Sequence, residues 1–98
     1  MLQIITKEFI EKFNALNNTI ADVQIKHLLY GNQKIKKCIL HPFADEERIG
    51  ITINEEDIYI TANELLSTNI NNNVYVIKSE VMELRIILSE ENAKNSGA

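Results

Sequence analysis

Apolar positions repeat with a helical period near the start of this chain and with a strand period over most of the rest. Phe9, Ile10, Phe13 and Leu16 fall at i, i+1, i+4 and i+7, while Lys7, Glu8, Glu11, Lys12 and Asn14 occupy the other side. That spacing predicts a helix from about Thr6 to Asn17. Thr6 suits the N-cap, Ile5 and Ile10 are placed as a hydrophobic staple, and Asn17-Asn18 can take the left-handed conformation that ends a helix.

Beyond the helix the period becomes 2. Val23, Ile25, His27 and Leu29 alternate with Gln24, Lys26, Leu28 and Tyr30; Gly31-Asn32 interrupts; Ile35 to Leu40 resumes the extended pattern and His41-Pro42 closes it. A first hairpin is expected here. In a second, Ile49, Ile51 and Ile53 alternate with Arg48, Gly50 and Thr52, a turn runs over Asn54-Glu55-Glu56-Asp57, and Ile58-Tyr59-Ile60 returns. Gly50 inside a strand marks a bulge or a close backbone approach.

Thr61 followed three residues later by Glu64 matches a capping box, with Ile60 and Leu65 as its staple, and predicts one or two helical turns over residues 62–67. Asn69 to Asn73 reads as a loop and Val74 to Lys78 as a strand. Residues 81–88 read as a strand too, because Met82, Leu84, Ile86 and Leu88 share one face with Glu83 and Arg85 opposite.

These elements add up to an α+β fold: an N-terminal helix packed on a small, curled antiparallel sheet or open barrel of five to six strands, with one short extra helical turn. Residues 1–89 form the expected single domain. Residues 90–98 hold no large apolar side chain and are expected to be a disordered tail.

Composition narrows the chemistry. Three glycines, Gly31, Gly50 and Gly97, cannot supply a phosphate loop or a dinucleotide-binding turn. The single cysteine, Cys38, can form neither an internal disulfide nor the paired thiolates of a structural zinc site. With no basic lead-in, and no apolar run near the ~18 residues of a membrane helix, the expectation is a cytoplasmic protein without membrane contact, bacterial or from a mobile element. Asp45-Glu46-Glu47 and Glu55-Glu56-Asp57 lack the spaced ligands and turn glycine of a calcium loop, so neither metal nor cofactor is expected.

Two pairs could carry nucleophilic or acid–base chemistry. If the loop of the first hairpin is Gly31-Asn32 alone or runs from Gly31 to Lys34, parity puts His27 and Cys38 on one face as diagonal or direct neighbours. On the other face Asp22 would stand near His41. Neither pair has a visible third group to orient it, and the reading is therefore non-enzymatic.

Charge is more telling. Lys26, Lys34, Lys36 and Lys37 make residues 22–43 basic, at +3, whereas Asp45, Glu46, Glu47, Glu55, Glu56, Asp57 and Glu64 against Arg48 leave residues 44–65 at -6; the whole chain carries -4. A dipolar domain of this kind is expected to be a protein-interaction module that self-associates through edge strands and these complementary hairpins. The alternative is an acidic inhibitor, immunity-type or regulatory protein that meets a basic protein partner. Nucleic-acid binding through the lysine-rich hairpin is the weakest reading, because two arginines and a negative total suit a polyanion poorly.

Overall fold

The computed structural model describes residues 5–89, so the tail expected over 90–98 lies outside the described residues. A helix and eight strands follow in order: α1 (Lys7–Asn14), β1 (Ile20–His27), β2 (Gly31–Ile39), β3 (Pro42–Ala44), β4 (Arg48–Ile53), β5 (Glu56–Thr61), β6 (Leu65–Asn71), β7 (Val74–Ser79) and β8 (Met82–Leu88). The fold is α+β, with its strands in two antiparallel sheets: β2-β1-β8-β7-β6 and β3-β4-β5.

Helix α1 begins as its sequence predicts, since the Thr6 hydroxyl accepts the Phe9 N–H at 3.2 Å. It ends earlier than Asn17. The Leu16 N–H already turns back to the Phe13 carbonyl, and Asn18 takes φ 66°. The helix buries Phe9 and Phe13, whose rings stack 5.7 Å apart and each lie 6.4 Å from Tyr75 of β7. Eight residues are too few for a stable helix in water, so this aromatic contact is what holds it.

Inward-facing rows run across the large sheet in register. Ile25, Leu84 and Ile77 form one, and Val23, Ile86 and Tyr75 the next. They join Ile49, Ile51 and Ile60 of the small sheet in one buried cluster.

Four expectations are corrected. The chain makes eight strands among the described residues, where five to six were expected. Pro42 does not close the pattern but opens β3, an edge strand where its missing N–H costs no ladder bond. The helical turn over 62–67 does not form. Thr61 does hydrogen-bond Glu64, from Oγ1 to Oε1 at 2.7 Å, but the chain then enters β6 at Leu65, because pairing Leu65 with Ser79 buries the leucine in the core. The loop expected over Asn69 to Asn73 shrinks accordingly to Asn72-Asn73, between the paired residues Asn71 and Val74.

Candidate interaction surface

His27 pairs with Gly31 across the first hairpin, which leaves Leu28-Leu29-Tyr30 as its turn. Gly31 sits at φ 82°, a conformation costly for any residue with a Cβ. The His27 ring organises the turn: Nδ1 accepts the N–H groups of Leu29 at 3.1 Å and Tyr30 at 3.3 Å, and the Tyr30 ring lies 4.5 Å away. The Leu28 N–H donates to the Val81 carbonyl at 2.8 Å, tying this turn to the one between β7 and β8.

Three consecutive large apolar side chains are thereby held out in solvent. Leu28, Leu29 and Tyr30 are 75, 77 and 82% exposed, and Leu66 and Val81, which line a groove with Leu28, are 52 and 39% exposed. Fully burying side chains of this size is worth about 1.5–3 kcal/mol each, so contiguous exposure marks an interaction surface more readily than scattered apolar residues do. Sequence reasoning missed it by placing Leu29 and Tyr30 in the strand. The available signal was three apolar residues in a row, breaking alternation directly before Gly31.

Two grooves flank the Leu66–Val81 ridge. One, of about 580 Å³, is lined by Lys26, Leu28 and Lys78 beyond the ridge residues; the other, of about 260 Å³, is lined by Asn63 and Glu64. Ser79 and Glu80 border both. The ridge thus separates a groove that holds Lys26 and Lys78 over Glu83 from one that holds Glu64, with Glu80 on the border of both.

Two of the four lysines singled out in the sequence are brought onto one face. Lys26 and Lys34 stand on the face of the large sheet that points away from the core, and the register adds Lys78 and Arg85 to them. Glu83 sits at their centre, 3.9 Å from Lys26, 3.3 Å from Lys78 and 3.5 Å from Arg85. Lys36 and Lys37 lie at a bulge, where two residues of β2 oppose Asp22 alone. The Asp22 carboxylate accepts the Lys37 N–H at 3.0 Å, and Lys37 takes φ 51°.

The seven acids are not brought together. Asp45, Glu46, Glu47 and Glu64 lie near one end of β4, and Glu55, Glu56 and Asp57 at its other end, about 20 Å away at strand rise. Several already serve their own turns. Asp45 Oδ1 accepts the N–H groups of Glu47 at 2.7 Å and Arg48 at 3.0 Å, which holds its carboxyl below the usual carboxylate range. Asp57 accepts the Thr52 hydroxyl at 2.7 Å.

Neither nucleophilic pair forms. Cys38 pairs with Ala21, whereas His27 pairs with Gly31 at the far end of the hairpin, about 20 Å along the strand. The turn falls at Leu28-Leu29-Tyr30, ahead of the loop beginning at Gly31 that the parity argument assumed, and this earlier turn sets the offset, which the bulge reduces by one residue. Partial burial pushes the Cys38 thiol up, away from the thiolate a nucleophile needs. Asp22 faces Lys37, as described, instead of His41. Among the described residues no three or more His, Cys, Asp or Glu side chains converge as metal ligands, and no helix is long and apolar enough to cross a membrane. Comparison with known protein families, curated proteins and solved structures finds no match to this chain.

Proposed function

We propose that this domain is a non-enzymatic protein-interaction module that self-associates through its apolar end. The observation that carries this reading is the exposed Leu28-Leu29-Tyr30 turn, whose Leu28 borders one groove with the exposed Leu66 and Val81. An apolar centre with a mixed-charge rim is the anatomy of a protein interface. Pairing through the edge of β2 is less well supported, since Lys34, Lys36, Lys37 and a bulge are the devices that keep an edge strand from pairing. A basic protein partner meeting all seven acids is disfavoured by their separation along β4.

Light scattering behind a sizing column tests the proposal. The wild type is expected at a multiple of its 11.2 kDa chain mass, and the Leu29→Ser, Tyr30→Ser double variant at the chain mass itself. A wild type at 11.2 kDa at every concentration tried overturns it.

A second reading has its own observation: Lys26, Lys34, Lys78 and Arg85 share one sheet face, which favours a polyanion such as single-stranded nucleic acid. Fluorescence anisotropy with a labelled oligonucleotide at low salt checks it. Binding that weakens with added salt and with Lys34→Glu is the expected outcome, and an unchanged anisotropy at low salt excludes it.

A further inference from the structure

Resting on the self-association reading, we infer that the partner is a second copy related by a two-fold axis at the Leu66–Val81 ridge, with the lysine groove of each copy facing the Glu64 groove of the other. The two grooves share the ridge; one carries Lys26 and Lys78, which reach into solvent above the largely covered Glu83, the other carries Glu64, and Glu80 borders both. A two-fold rotation about the ridge lays ridge on ridge and exchanges the two sides, so each copy's lysines meet its partner's carboxylate. A patch must be self-complementary in this way to form an isologous interface. A partner of one dominant charge would instead match a rim of the opposite sign, and this rim carries both signs.

The parts of the patch divide the work. Leu66 and Val81, with Leu28 beside them, supply area that leaves water when the copies meet. Lys26 and Lys78, each more than half exposed and sharing Glu83, retain solvent-facing charge to pair across the interface. Charges at an interface chiefly set orientation and suppress wrong arrangements, and here they exclude any rotation that would bring lysine onto lysine.

Two single variants and their mixture test the symmetry. In Lys78→Glu alone, both contacts of a two-fold dimer set carboxylate against carboxylate; in Glu64→Lys alone, both set ammonium against ammonium. In the mixed dimer both contacts are complementary, one reversed and one native. The expected result is wild type at twice 11.2 kDa, each variant alone at the chain mass with dimerisation at least tenfold weaker, and the equimolar mixture again at twice the chain mass.

Far-UV circular dichroism and a thermal melt check that each variant folds, and Lys26→Glu replaces Lys78→Glu should the latter unfold. If either variant alone keeps the wild-type mass, the charge pairing is overturned while self-association stands. A mixture that grows beyond a dimer marks a head-to-tail contact and overturns the two-fold axis. A monomeric wild type overturns both.

Discussion

Gly50 shows how closely two strands can approach when one side chain is absent. A Cβ built there would lie 2.1 Å from the Ile58 carbonyl oxygen and 2.6 Å from the Tyr59 Cα, both in the backbone of β5. Phe43 and Tyr59, its neighbours on either side, place their rings 6.2 Å apart, with the Arg48 guanidinium 4.9 and 5.3 Å from the two centroids. Gly50→Ala is expected to cost about 1–3 kcal/mol or more, as overpacking against backbone does, measured by urea denaturation. Asp45 makes a prediction with a pH signature. Because its folded pKa is depressed, its contribution is present in full above the ordinary carboxylate value and is lost as pH falls through the lower folded value. Asp45→Ala should therefore lower the melting temperature at neutral pH, and the gap to wild type should close in strong acid. An equal gap at both pH values would remove the charge from the explanation.

At the scale of elements, turn chemistry decides more than propensity. The β4–β5 turn is the two-residue Asn54-Glu55 pair between Ile53 and Glu56, with φ values of 51° and 68°. Both central residues at positive φ are the mark of the hairpin turn whose twist matches its strands, and its favoured sequence is Asn-Gly. Glu55→Gly is expected to stabilise the protein by about 0.5–1 kcal/mol, the left-handed penalty of ~1–2 kcal/mol less the entropy glycine loses on folding. Denaturant midpoints of the two proteins decide it. Helix α1 depends on its docking, since Phe13 is fully buried. Phe13→Ala should cost about 3–5 kcal/mol, and helical ellipticity should be lost together with the global transition.

On the scale of the whole molecule, the apolar end and the core are separate assets. Leu28, Leu29 and Tyr30 lie outside the buried cluster, so the Leu29→Ser, Tyr30→Ser variant should keep the fold. A self-associating protein gains stability by mass action, because the partner binds only the folded state. The wild-type melting temperature is thus expected to rise with protein concentration while that of the double variant stays constant. Parallel behaviour of the two would detach the turn from self-association.

Periodicity alone determined where chain faces core. Phe9 and Phe13 on the helix, Val23 and Ile25 on β1, and Leu84 and Ile86 on β8 were all legible, because a period of 3.6 or 2 must place its apolar side inward. The cap at Thr6 and the close approach at Gly50 were legible for the same local reason. Register was not. A turn at Leu28-Leu29-Tyr30, earlier than the loop expected from Gly31, left Cys38 opposite Ala21 and dissolved the pair expected with His27, and both this turn and the bulge at Lys36-Lys37 are tied by hydrogen bonds between residues distant in the chain, Leu28 to Val81 and Lys37 to Asp22. Thr61 and Glu64 met through hydroxyl and carboxylate, not through the backbone N–H bonds of a capping box, and the burial of Leu65 across from Ser79 outweighed a helix that could have formed only one or two turns. Charge followed the same division: composition counted the lysines and acids, but only strand order put Lys78 and Arg85 beside Lys26 and sent the acids to opposite ends of β4. Local pattern sets what a segment buries, and tertiary pairing sets which segments meet, so the exposed end built from three turns and an edge strand belonged to the fold alone.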